Sequence, residues 1–242
     1  SKIIKWFYYA QIRNRYISQM PQKLDKDNAV AAKSKTPFDD LLNMIRAERP
    51  LEISKDEFVG VDVRNPLFNL MRWYFKSRHA ICPNTGMGIR SEMGKNYELH
   101  WDHIFPYEVL KANGYDRNNR LKYALALEIT NRVILAQSAT RNVEDKTAEA
   151  YLSRIQQQYP NALRLQSIPQ DQALWTLANF EHFLEARRIL LAEQLNSFLN
   201  GITVTVETPL ETSIEELIAG GENSNLEFKS SMCWSGIEAG RD

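Results

Sequence analysis

The residues best equipped for chemistry lie close together, in Tyr97-Glu98-Leu99-His100-Trp101-Asp102-His103-Ile104-Phe105-Pro106. In an extended segment alternate residues share a face, so His100 and Asp102 point one way and Trp101 and His103 the other. Where such a strand ends and turns at Pro106, a ligand and a base can still converge on one reacting group. A carboxylate that holds a divalent cation, beside a neutral imidazole that takes a proton from the attacking water, is what metal-assisted phosphodiester hydrolysis requires. An Asp-His pair ahead of a proline also serves as a turn cap, and these residues alone leave both readings open.

The downstream chain adds to them. Asn131 opens Asn-Arg-Val-Ile-Leu, an apolar run suited to a short buried strand or a helix start, and Asn142 follows in a polar segment that leads into a helix beginning near Thr147. Asp102-His103-Ile104-x-Pro106, then Asn131 before an apolar run, then Asn142 with Lys146, resembles the HNH, or ββα-metal, nucleases, in which a β-hairpin and a helix clasp one divalent ion. Carried over by position, the resemblance makes Asp102 the first metal ligand and His103 the general base. Asn131 is then the central Asn that holds the metal loop and orients the base, and Asn142 is the second ligand. Lys146 matches a position that is often basic and contacts phosphate. His100, where some members carry another acidic or polar group, and Arg141 are additional candidates. The implied cofactor is Mg²⁺, Mn²⁺ or another divalent cation, and the implied substrate is DNA.

These residues need a scaffold, and composition bounds it. The chain has 242 residues, 43% hydrophobic and 25% charged, an ordinary globular balance with room for one large domain or two smaller ones. No run approaches the length of a membrane span, and no secretory signal opens the sequence. Cys82 and Cys233 form no CxxC pair, so a disulfide framework or structural zinc is not expected and a reducing cytoplasm fits. Many HNH enzymes hold their hairpin with such cysteine pairs; here packing must do it. Net charge is zero, which excludes a generally basic nucleic-acid coat. Residues 1–146 nevertheless carry 24 Lys+Arg against 17 Asp+Glu, a balance of +7, and residues 147–242 carry 6 against 13, a balance of −7. A locally positive surface can attract a phosphate backbone even when the sum is zero, although solvated helix faces also vary in sign.

The pattern around the candidate residues is mainly helical. Lys2 to Met20 reads as an amphipathic helix, with Ile4, Trp6, Phe7, Ile12 and Tyr16 on its apolar face and Arg13 and Arg15 as surface arginines, or less commonly phosphate contacts. Pro21 to Lys35 reads as a loop passing into a helix. Thr36-Pro37 starts another helix, with Thr36 as cap, and Ser54 to Asp56 starts a short helical piece or turn. Asn65-Pro66 starts a strong helix that buries Leu67, Leu70, Met71, Tyr74 and Phe75. Its basic end, Arg72, Lys76, Arg78 and His79, is what the macrodipole favours. Cys82 to Gly88 is a turn-rich loop whose glycines lack the spacing of a phosphate-binding loop. Tyr107 to Asn113 is a short helix ending near Gly114, Leu121 to Leu127 is helical, and Thr147 to Tyr159 forms a helix that stops at Pro160. Ile168-Pro169-Gln170-Asp171 precedes a long helix that carries Leu174 to Phe198 and stops at Gly201, kinked or split near Asn179. Ile202 to Glu207 is a strand or an extended linker, Ser213 to Ile218 a capped short helix, and Leu226 to Ser231 a strand.

Beyond the core motif, the amphipathic helix ending near Arg15-Tyr16, the Ile168-Pro169 step and Phe183-Leu184-x-x-Arg187 resemble, over roughly residues 1–200, the nuclease half of the GmrSD-like restriction proteins. That family pairs this half with an upstream ParB-like, nucleotide-hydrolysing domain and defends bacteria against phage DNA. Glu215 to Glu222 with Leu226-Glu227-Phe228-Lys229 resembles the opening of an AlbA-like (Schlafen-type) DNA-binding domain. The chain is too short beyond it to bury a second core, which points to a fragment of a longer protein. The expected fold is therefore α+β, a mainly helical domain with an embedded ββα-metal core. Residues 1–80 form a helical region, 81–150 the nuclease core, 151–200 the C-terminal helices, and 201–242 a linker and the truncated second domain. The expected function is a cytoplasmic, metal-dependent DNA endonuclease of antiviral restriction, without membrane association and as a possible homodimer. The alternatives are a catalytically inactive DNA-binding or assembly module and a helical oligomerisation scaffold.

Overall fold

The fold is mainly helical with a small antiparallel sheet, an α+β arrangement. The computed structural model describes residues 2–89, 99–136 and 146–202. The expected elements beyond residue 202 lie outside them. The helices are α1 (Lys2–Ile12), α2 (Met20–Lys33), α3 (Pro37–Glu48), α4 (Pro66–Ser77), α5 (Tyr107–Ala112), α6 (Arg120–Leu127), α7 (Ala148–Gln158), α8 (Pro160–Leu165) and α9 (Phe180–Gly201); the strands are β1 (Leu99–His103) and β2 (Arg132–Ala136).

Local chemistry sets most boundaries. Asn65 Oδ1 accepts the Leu67 N–H at 2.9 Å ahead of α4, Asn119 Oδ1 that of Lys122 at 3.2 Å ahead of α6, and Thr147 Oγ1 that of Ala150 at 3.2 Å ahead of α7. Ser54 and Glu57 form a reciprocal capping box on the short turn Lys55–Phe58. Thr36 occupies the cap position of α3 but makes no side-chain cap bond; Ser34 Oγ instead accepts the Thr36 N–H at 2.9 Å. The long C-terminal stretch is split near Asn179 into two short 3₁₀ turns followed by α9.

Three expectations in the N-terminal region fail. The first helix stops at Ile12 because Asn14 and Gln19 adopt left-handed backbone conformations. The segment from Pro21, expected to open as a loop, is helical from the start, because α2 begins at Met20 with the proline in its first turn. Arg13 and Arg15 are neither surface residues nor available to phosphate. Arg13 is buried against Glu57 and the Leu51 and Glu52 carbonyls, and Arg15 is buried against Asp27, with Glu48 beside it.

β1 and β2 pair antiparallel, with His103 opposite Arg132, Asp102 opposite Val133, Trp101 opposite Ile134 and His100 opposite Leu135. The sheet lies between two apolar clusters. Ile134 joins the cluster built on α1, α4 and the C-terminal half of α9, whereas Val133 and Leu135 join the one built on α7, α8 and the start of α9. The outer edge of β2 is closed by a side chain: Gln166 Oε1 accepts the Ile134 N–H at 2.8 Å, and its Nε2 donates to Ile134 O and Ile81 O, both at 2.9 Å. A buried amide thus satisfies backbone groups that a third strand would otherwise pair.

Candidate functional site

His103 is the last residue of β1, and the bend that follows it is fixed by Asn131. This Asn is fully buried at the end of a 3₁₀ turn, Ile129–Asn131. Its Oδ1 accepts the Phe105 N–H at 2.9 Å, its Nδ2 donates to Phe105 O at 3.2 Å and Ala126 O at 3.1 Å, and its own carbonyl accepts the Ile104 N–H at 2.9 Å. Phe105 itself is buried, with its ring centroid 5.0 Å from those of Phe180 and Phe183. The bend is therefore held by backbone bonds on one side and aromatic packing on the other.

The next shell is built on charge. Arg187 is completely buried and donates to four carbonyls: Thr130 O and Arg132 O at 2.7 Å, Gln166 O at 2.9 Å and Ser167 O at 3.1 Å. Burial among neutral partners pushes its guanidinium down to about 9. Glu128, also fully buried, takes a bidentate pair of bonds from Arg188 at 2.8 and 2.7 Å, the Gly60 N–H at 2.7 Å, and the Thr130 hydroxyl. Arg187 holds the carbonyls of Thr130 and Arg132, the residues on either side of Asn131, and Glu128 holds the Thr130 hydroxyl, so together they anchor the turn that enters β2.

His103 and Arg132 meet across the sheet. The Ile134 and Arg132 carbonyls point away from β1, to Gln166 and Arg187, so the Arg132–His103 pair is of the wider-bonded kind in which side chains approach closely. Arg132 Nη1 lies 3.1 Å from His103 Nδ1. A guanidinium can only donate, so Nδ1 presents its lone pair and the imidazole is the neutral tautomer with its proton on Nε2. The Tyr107 ring stacks near the imidazole, 6.0 Å between centroids. Arg132 is 9% exposed, and its Nε is buried without a hydrogen-bond acceptor among the described residues. Burial pushes the guanidinium down to about 10, opposed by the charges of Asp102 and Asp62.

Asp102 is half-buried, and its Oδ1 accepts the His103 N–H at 2.7 Å. His100 is exposed on the same strand, and Lys146 is exposed just ahead of the α7 cap. Asn142 and Arg141 lie outside the described residues. Among the described residues no group of three or more His, Cys, Asp or Glu side chains could hold a metal ion. Asp102 is thus the described candidate ligand, an oxygen donor of the kind hard cations select.

No family model matches the chain, and neither a curated protein nor a solved structure matches it.

Sequence reasoning did not find Arg132, Glu128, Gln166 or Arg188. Arg132 stands next to Asn131, but its importance depends on the register that sets it opposite His103, and register is a property of two distant segments. Glu128 and Arg188 are 60 residues apart, and nothing local marks them as partners. Arg187 was visible only as part of a pattern, without a role.

Proposed function

We propose that this chain is a metal-dependent DNA endonuclease of the HNH type, acting against foreign DNA in bacterial defence. The observation that carries the reading is the bend at residues 103–105. A buried Asn131 fixes the backbone just after an Asp-His pair, and the imidazole stands in its neutral form beside a cation. The chain order β1, β2, α7 agrees with a ββα core in which residues 104–131 form an excursion between the strands.

In this mechanism His103 Nδ1 takes a proton from water, whose oxygen attacks phosphorus. The bond from phosphorus to the 3′ oxygen breaks, and that oxygen receives a proton from solvent. Nδ1 can act only when Arg132 has left it, and the incoming phosphate is the anion that draws Arg132 away; the guanidinium then stabilises charge on the phosphoryl oxygens. A divalent cation held by Asp102, with Asn142 as its second ligand, would supply further positive charge against the developing oxyanions. The full-length protein would place a ParB-like, nucleotide-hydrolysing domain upstream, work in the cytoplasm, and need two copies to cut both strands.

The Arg132 contact also favours a second reading, a catalytically inactive DNA-binding module, because it occupies the base's lone pair. Plasmid cleavage in Mg²⁺ by wild type and His103→Ala separates the two. The nuclease loses about two to four orders of magnitude in rate with the imidazole. Equal nicking by both proteins removes His103 from the mechanism, and binding without cleavage by the wild type supports the second reading.

A further inference from the structure

Asn69, Arg72, Trp73 and Lys76 follow one another at helical spacing along α4 and line one surface cleft. The chemistry of this face is not that of an ordinary solvated helix. The Trp73 indole is 52% exposed. The Lys76 ammonium lies 5.2 Å from its ring centroid, and the Arg72 guanidinium lies 5.9 Å from that of Phe68. Neither cation has a carboxylate partner in a salt bridge among the described residues. Burial, and the like charge of Arg72, hold the Lys76 ammonium below its ordinary value. The dipole expected to account for the whole basic end of α4 covers only Lys76 in the last turn; Arg72 lies a turn earlier, outside its reach, and an exposed indole in mid-helix is not explained by it either.

The face continues to the bend described above. Phe68 meets the Trp101 ring edge-on, 5.6 Å between centroids, and Trp101 is itself 43% exposed. Trp101 lies two residues before His103 and on the same face of β1. Two cations without carboxylate partners among the described residues, alternating with the exposed indoles of Trp73 and Trp101, therefore lead toward the imidazole.

We propose that this face of α4 and β1 is a track for an unpaired nucleic-acid strand: Arg72 and Lys76 take successive phosphates, and Trp73 and Trp101 stack on bases. The choice of nucleic acid rests on the nuclease reading, which this deepens by naming single-stranded or locally opened DNA as what approaches the bend. Charge complementarity requires an anion, and the indoles require flat, accessible rings, which a paired duplex does not offer along its side.

The test is anisotropy of a labelled oligothymidine of about 20 nucleotides titrated with the full chain in EDTA, so that cleavage does not enter. Arg72→Ala with Lys76→Ala should weaken binding at least tenfold and flatten the slope of log affinity against log salt by about 1.4, the release expected for two phosphates of a single strand. Trp73→Ala should weaken binding about five- to a hundredfold, and Trp73→Phe should restore most of it. Lys33→Ala, on α2, should bind like wild type. Affinities unchanged in the α4 variants, or equal affinity for a duplex of the same length, overturn the track. So does binding of polyglutamate or phosphatidylserine vesicles in preference to the oligonucleotide. If His103→Ala cleaves plasmid in Mg²⁺ like wild type, the nuclease reading fails and the binding result stands. If the α4 variants bind normally while His103→Ala does not cleave, the track fails and the nuclease stands.

Discussion

Arg132 is a buried cation set between an imidazole and two carboxylates. It touches a neutral imidazole at 3.1 Å, sits within reach of the Asp102 and Asp62 charges, and keeps its Nε without an acceptor among the described residues. Leaving a buried donor unmade is costly, and a phosphate oxygen would satisfy it. Arg132→Ala should therefore lower cleavage about a hundred- to a thousandfold, the scale of one lost oxyanion donor, and Arg132→Lys should recover part of it. Single-turnover rates on a supercoiled plasmid read both. If Arg132→Ala cleaves faster than wild type, the guanidinium only obstructs the base. Asn131 belongs to the same scale but does different work. Asn131→Ala strands the Phe105 N–H and carbonyl in a dry interior and should cost about 2–4 kcal/mol of stability, measured by urea unfolding. Loss of cleavage with full stability would instead give Asn131 a direct part in the chemistry.

The elements that carry these residues were legible in the sequence to different degrees. The helix α4 could be read in advance because its cap, its proline and its apolar period all agree, and Leu67, Leu70, Met71, Tyr74 and Phe75 are buried as that period requires. The pairing of β1 with β2 could not, because five-residue strands separated by residues 104–131 carry no local sign of register. The arginines after α1 were misread for a similar reason. Their partners come from α2, α3 and the turn at Ser54, and an arginine whose carboxylate is distant in sequence looks like a surface residue.

That same contact gives the region between α1 and α2 a pH dependence. Burial opposes ionisation of Asp27, but the Arg15 guanidinium and the Tyr16 hydroxyl, at 2.7 and 2.6 Å, hold its carboxyl below the ordinary value. The folded value is thus lower than the unfolded one. The stabilisation is present above the unfolded value, near 3.9, and is lost as pH falls through the folded value. Asp27→Leu should cost about 3–5 kcal/mol at neutral pH, because Arg15 then stays buried without its main partner. The difference between variant and wild type should shrink on acidification below about pH 4. Denaturant midpoints across that range check it, and a difference that grows toward acid would reverse the sign of the linkage.

At the scale of the whole molecule, the two apolar clusters are not separate. β2 sends Ile134 into one and Val133 and Leu135 into the other. Within α9, Phe180, Phe183 and Leu184 belong to one cluster and Leu191, Leu195 and Leu199 to the other. Arg187 stands between these groups and ties α9 to the turn before β2 through Thr130 O and Arg132 O. A helix without a break and a strand used on both faces leave no plane along which the clusters could part without exposing buried carbonyls. They should therefore unfold together. Leu184→Ala and Leu195→Ala, one in each cluster, should each cost about 2–5 kcal/mol. Each should lower hydrogen-exchange protection in α4 and α7 alike, although α4 packs in one cluster and α7 in the other. Protection lost only in α7 for Leu184→Ala, and only in α4 for Leu195→Ala, would mean that β2 and α9 do not couple the two halves. The bend at His103, which takes Asn131 from the turn before β2 and Phe105 from the α9 side, would then be held by one cluster alone.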